Sequence, residues 1–446
     1  MRRIKEVVLL TLLLLLSAPS LVLAESGALS VYSPYSIYGL GSLSTQGTLQ
    51  TRSMGGAGVA MRNPSTINLL NPASYSTQLQ RSILFDFGME GGQYMLSQNS
   101  AAGQSSTNYT TLNFKEIAFQ VPVAKGLGFG FSMTPYSSVG YSNYEEIIMA
   151  DYYVGMLQEG YGDIAEAKFG IGWEFLPGVS IGVAGQYYWG DLSRTFDVAF
   201  VNITAGGDVL SMSGIDYLSV SSLKAQAGLQ WDVIKRRNKM LTLGATYDLG
   251  GDLSPQYIRV IDDEGSTDSF YTQSDTTTIS LIQPRQLSFG VSYVSDRLAL
   301  SADYSMQDWK SGNESISYEN EDGMLISYCN VSQIRFGVEY TPRYSDVRNY
   351  FNRVNYRAGV RFGNSQYSFG GTQLAEYAVT AGMGFPINMI GITRINMGLE
   401  WGSVGALSSV NVNGSDVGLI RQNQFKVAFS FTMFGDDYWF HRYLID

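Results

Sequence analysis

Cysteine and histidine are nearly missing from this chain. The one cysteine, Cys329, rules out an intrachain disulfide. The one histidine, His441, lies close to the C-terminus, so a Ser-His-Asp arrangement would have a single base far from most of the serines. His441 reads as a surface residue, and a zinc site lacks its ligands. The chain is therefore read as no enzyme, with no cofactor and no metal. Charge is also scarce: 15% of residues are charged, against about 25% in soluble domains. Basic excess is absent, the net charge being -10, which speaks against nucleic acid as a partner because phosphate binding needs a basic face. Beyond the first residues, no stretch approaches the roughly 20 apolar residues of a membrane helix. Gly126-x-Gly128-x-Gly130 has no helix after it and is no nucleotide loop. Asp262, Asp263, Glu264 and Asp268 read as a solvated acidic loop, with a calcium site as the alternative.

What is present points one way. Arg2, Arg3 and Lys5 precede an apolar run from Val7 to Leu16 and a small-residue site at Val22-Leu-Ala24, the pattern of a signal peptide over residues 1–24. Position 25 is Glu rather than Cys, which disfavours a lipid anchor. The chain carries 49 Gly and 30 Tyr. Residues 82–434 hold repeated period-2 segments, such as Phe425, Val427, Phe429 and Phe431, and Ile334, Phe336, Val338 and Tyr340. Successive strand side chains face opposite ways, so each segment has one apolar and one polar face. The polar face carries Lys168, Lys224, Asp303, Arg335, Glu339, Arg357 and Lys426. Segments run to ten or more residues, and short connections alternate with long ones, the asymmetry of an outer-membrane barrel. The reading is a 14-stranded antiparallel transmembrane β-barrel over 82–434, all-β, with an N-terminal hatch (plug) at 25–81 inside the lumen. Its expected place is the bacterial outer membrane. Residues 435–446 form a periplasmic C-terminal tail. The eighth strand is expected over 276–294, and Trp189, Trp309 and Trp401 in a girdle toward the long loops.

A lumen of this width needs a plug. Residues 25–81 supply Gly55, Gly56 and Gly58 for tight packing, Asn63-Pro64 and Asn71-Pro72 for turns, and Ile67, Leu69 and Leu70 for a small apolar core. The run Arg52-Ser-Met-Gly-Gly-Ala-Gly-Val-Ala60, then Pro64-Ser-Thr and Asn71-Pro72-Ala73, resembles the hatch of the long-chain fatty-acid transporter (FadL) family. Gly126-Leu-Gly-Phe-Gly-Phe-Ser-Met-Thr-Pro-Tyr136 and Gln283-Pro-Arg-Gln-Leu-Ser-Phe-Gly290 resemble it too. Ser33-Pro-Tyr-Ser-Ile-Tyr-Gly39 is similar to the opening of its Bacteroidota-like branch. The resemblance implies a fourteen-stranded barrel, a hatch, and passage of hydrophobic molecules. It also implies a kink in the third strand that opens sideways into the membrane. Two features depart from it: a tail follows Phe434, where many barrels end on an aromatic residue, and some members of the wider family serve protein secretion.

The functional expectation is passive uptake of hydrophobic small molecules such as long-chain fatty acids, with outer-membrane lipid around the barrel. Gly55, Gly56, Gly58, Asn71, Pro72 and Ala73 are the hatch and gating residues. Pro135, which cannot donate to a ladder, marks the lateral-opening kink. Ile147, Ile148, Tyr152 and Met156 form a ligand-capture loop, with Ile148, Tyr152 and Met156 at a helical spacing of four. Arg335, Glu339 and Arg357 are lumen charges that meet a ligand carboxylate or, on the reading preferred here, form structural networks with Asp303. The alternative is a barrel of the same fold that acts as a scaffold or a secretion-machinery partner in surface assembly.

Overall fold

The structure is a computed structural model. It describes residues 29–436 apart from 80–81, 101–102, 150–151, 203–208, 237, 264–272, 279–280, 315, 320–322, 388–392 and 413–414. The signal peptide, the end of the tail with His441, and the acidic loop from Glu264 to Asp268 lie outside the described residues.

The wall is a closed 14-strand antiparallel β-barrel. Its strands are β1 (Ser82–Ser100), β2 (Gly103–Ala124), β3 (Leu127–Met149), β4 (Tyr152–Leu176), β5 (Val179–Asn202), β6 (Val209–Arg236) and β7 (Lys239–Asp248). They continue with β8 (Gln286–Ser295), β9 (Leu298–Gln307), β10 (Val331–Tyr340), β11 (Asn355–Phe369), β12 (Thr372–Ile387), β13 (Thr393–Val404) and β14 (Ile420–Asp436). Each strand pairs with the next, and β14 returns to β1 from Ser82↔Asp436 to Gln98↔Ile420. Closure removes the sheet edge that hydrocarbon could not hydrogen-bond. Alternation holds along the wall. On β4, Phe169, Ile171 and Trp173 face out and are exposed, while Ile164, Glu166 and Lys168, at the alternate positions just before them, are buried inside.

The structure corrects three expectations. First, the eighth strand starts at Gln286. Residues 273–278 instead pair with Gln256–Asp263, and that hairpin extends β6 through Gln256↔Ser219 to Asp263↔Met212. Pro284 lies in the gap before β8, where it takes nothing from a ladder. Second, the expected capture loop around Ile147 to Met156 is strand up to Met149 and from Tyr152 onward: β3 and β4 pair to Met149↔Tyr152, and β5 and β6 to Val201↔Val209. These strands rise well past the level of Asp163 and Asp191, where the outward apolar row ends. Above that level the outward face is no longer a continuous apolar row, so the sequence pattern fades while the ladder continues. Third, Trp309 is no outer-girdle residue. The chain leaves the wall after Gln307, and Trp309 stacks on Tyr328 in a buried apolar cluster, 1% exposed.

That cluster joins Leu40 from the N-terminal region, Val139, Ile164, Leu192 and Leu218 from the tall strands, and Leu253, Leu281 and Met324 from the connections. It closes the barrel at the long-loop end.

Candidate functional site

Residues 47–79 lie against the inner wall. Gly55 and Gly56 take φ of +69° and +80°, a region costly for side chains with a Cβ. The wall answers with glycines of its own: a Cβ on Gly359 would stand 2.1 Å from Gly55 N. Gly55 N donates to Thr380 Oγ1 at 2.9 Å. Gly58 N and Val59 N both donate to Asp303 Oδ2, at 2.6 and 2.9 Å. Asn71 Nδ2 donates to Val59 O at 2.9 Å within the segment and to Leu229 O at 3.1 Å on the wall. Asn71 Oδ1 accepts from Ala73 N at 3.0 Å and so caps the turn Pro72–Thr77. Ile67 and Leu69 are buried, not in a core of their own but with Leu84 and Ala118 of the wall.

Two buried arginines add to this, and composition did not single them out. Arg52 pairs with Glu116 at 2.7 Å and with Glu90. Arg62 lies 3.5 Å from Asp232 and 3.6 Å from Glu174. The signal available in the sequence was the acid on each inward strand face, since a buried carboxylate requires a partner. Among the expected lumen charges, Arg357 binds Glu339 at 2.6 Å and Asn396 Oδ1 at 2.9 Å. Glu339 also accepts from Gln50 Nε2 at 3.1 Å. Arg335 sits apart from them and donates to Gln333 Oε1 at 2.6 Å. Asp303, its direct partner across β9 and β10, is occupied by the amides of Gly58 and Val59.

The wall is split beside Pro135. β2 and β3 pair from Ala124↔Leu127 to Ile117↔Met133 and no further. Two bulges flank the last pair. On β2, Lys115 is the extra residue, because Gly88 faces Glu116 while Met89 faces Phe114. On β3, the register with β4 shifts between Pro135 and Ser137. The residues that carry the split are thus a proline without a donor and a bulge that turns the β2 edge away.

A strap from the N-terminal region fills the seam. Ser42 and Leu43 pair with Ser138 and Ser137 of β3. Ser44 N donates to Tyr136 O and Ser33 N to Gly140 O, both at 2.8 Å. Between the two contacts, residues 34–41 cross the mouth. There Arg194 donates to Ile37 O at 2.8 Å and to Gly39 O at 2.7 Å.

Below the apolar cluster lies a cavity of about 530 Å³. One side carries Glu90, Lys115, Arg335, Arg361 and Lys426. The other reaches the seam at Leu112, Phe114, Met133 and Pro135. Leu112 and Met133 are 46% and 36% exposed on the outer surface, so the lining of the cavity reaches from the lumen to the outside of the wall. Its mixed lining suits a molecule with a large apolar part.

The expected capture loop is a β-hairpin rather than helical. Ile148 pairs with Tyr153, whereas Met156 pairs with Glu145, so Ile148 and Met156 fall on opposite faces. The pairing ladder rising from the barrel overrides the helical spacing. The side chains of Ile147 and Tyr152 lie outside the description. Ile148 is 75% exposed.

A family model described as BamG matches residues 3–446. No curated protein matches the chain. Among solved structures, a FadL homologue of Pseudomonas aeruginosa superposes with a TM-score of 0.60 at 14% identity, covering 88% of this chain and 99% of its own. The toluene transporter TodX of P. putida gives 0.55 at 14%, with 90% and 100% covered. The toluene transporter TbuX of Ralstonia pickettii gives 0.52 at 14%, with 87% and 98% covered. At such identity the likeness is one of fold.

Proposed function

The chain belongs to the BamG family, and from that premise we propose that it is an outer-membrane channel for hydrophobic small molecules that leave sideways through the wall. One observation carries this reading: the lumen cavity reaches the outer surface at the seam between β2 and β3. A route that ends in the membrane spares an apolar solute the aqueous side. The fold shared with toluene transporters supports it. Long-chain fatty acids are the amphipathic candidates, since the cavity has a charged end and an apolar end. The route bypasses the hatch, whose buried ion pairs and wall contacts hold it in place. Hatch residues Gly55, Gly58 and Asn71 are then a fixed floor.

The test is cargo. Protein purified from membranes should release a hydrophobic compound on extraction, and Leu70→Trp, which narrows the cavity it lines, should lower uptake of labelled toluene or fatty acid several-fold. An empty cavity together with uptake unchanged by Leu70→Trp would end this reading.

A second reading, a scaffold for surface assembly, is favoured by a different feature. The tall strands β3–β6 and the hairpin on β6 project beyond the apolar belt as one sheet with apolar residues on both faces near its tip, Tyr144 at 61% and Ile148 at 75% exposure on one and Met212 at 36% on the other. Exposed apolar patches of this kind mark interaction surfaces. A protein partner that co-purifies in fixed ratio and is lost with the hairpin tip would favour it.

A further inference from the structure

The bonds of the strap are lopsided, and the imbalance says where the seam yields. Toward β3 the strap behaves as a strand. It pairs at Ser137 and Ser138 and accepts or donates at nearly every step between Pro135 and Ser142. Gln46 Nε2 donates to Pro135 O at 3.1 Å. Gly140 N donates to Ser36 Oγ at 3.1 Å. Tyr32 Oη donates to Ser142 O at 2.9 Å and accepts from Ser142 N at 3.1 Å. Ser30 Oγ donates to Asp163 Oδ2, on the neighbouring β4, at 2.5 Å. The fit is backbone to backbone: a Cβ on Gly140 would come within 1.8 Å of Val31 O.

Toward β2 the contacts are of another kind. Asn113 Nδ2 donates to Ser30 O. Tyr32 stacks on Tyr109, and Val31 packs on Tyr94 of β1. Among the described residues, no backbone-to-backbone bond joins the strap to β2.

We propose that the strap and β3 move as one leaf, and that the lateral passage opens along the line between the strap and β2. This rests on the lateral-exit reading above. Parting the strap from β3 would strand a row of backbone groups, which hydrocarbon cannot satisfy. Parting it from β2 breaks side-chain contacts only, the Asn113 hydrogen bond and the Tyr32–Tyr109 pair, and leaves the β3 edge covered. The strap is then a fitted edge cover for β3, and the passage it borders is closed by side chains.

Two engineered locks separate this from its rivals, both in a Cys329→Ser background in the full-length protein. Ser30→Cys with Asn113→Cys ties the strap to β2. Ser42→Cys with Ser138→Cys ties it to β3, at direct cross-strand partners. A reporter, Gln424→Cys in the cavity wall, reads entry of an alkyl maleimide dissolved in the bilayer of lipid vesicles, scored as the modified peptide that carries position 424 so that lock thiols freed by reductant are not counted. The expected result is labelling lost when the strap is tied to β2, restored by reductant, and retained when it is tied to β3. Reductant rescue also shows that the locked protein is folded. Loss of labelling in the β3 lock, or full labelling in the β2 lock, overturns the proposal. Toluene flux in the same vesicles tests the transport reading separately: labelling in the expected pattern without flux would keep the seam and discard the transport.

Discussion

At the residue scale, the lumen is held by charge pairs that have little water to share. Arg52 faces Glu90 and Glu116, and its side chain is only 5% exposed. Bringing these groups out of water is costly, and the pairing offsets that cost only while each partner stays in place. Removing Arg52 alone leaves two buried acids. Arg52→Met should therefore destabilise the folded barrel by about 3–5 kcal/mol. Combining it with Glu90→Gln and Glu116→Gln should return much of the loss. Urea unfolding in detergent, followed by tryptophan fluorescence, measures both, and equal stability for the single and triple variants would contradict the pairing argument. Gly359 works by absence instead. Its missing Cβ lets the backbone at Met54 and Gly55 touch the wall, which is why lumenal glycines recur on strands whose outward neighbours are large.

At the element scale, pairing partners decide what each segment does. Pro135 denies β3 a donor, Lys115 bulges out of β2, and the two strands part above Ile117↔Met133. A segment about a hundred positions earlier in the chain then supplies the bonds β3 lacks. The mouth is closed in the same distributed manner, by side chains from the strap, the tall strands and the connections around Trp309. Trp309 is fully buried and its Nε1 donates to Gln307 Oε1 at 2.8 Å. Trp309→Ala should cost about 3–5 kcal/mol within that cluster and loosen the 310–330 connection. Limited proteolysis of intact vesicles should then cut within that connection, and a protease pattern identical to the parent would count against a packed lid.

At the scale of the whole molecule, three fillings lie in series: residues 47–79 against the inner wall, the strap in the wall and the apolar cluster at the mouth. The intact protein should therefore be nearly silent in a planar bilayer, and a large, steady ionic conductance would show that the lumen is not filled as described. The sequence by itself determined the wall. Phe425 to Phe431 and Ile334 to Tyr340 alternate because lipid on one side and a polar lumen on the other act on every second residue, and such a constraint is local enough to read from neighbours in the chain. The left-handed backbone at Gly55, the capped turn at Asn71 and the missing donor at Pro135 are likewise properties of single residues. The sequence misplaced Trp309, the start of β8 and the hairpin at Ile148, where the outward apolar row does not run. Tertiary structure alone decided that Arg52 meets Glu116, that Gly140 meets Val31, and that the strap rather than β2 completes the β3 edge. Those are encounters between residues far apart in sequence, chosen by which unsatisfied group lies within reach once the barrel has closed.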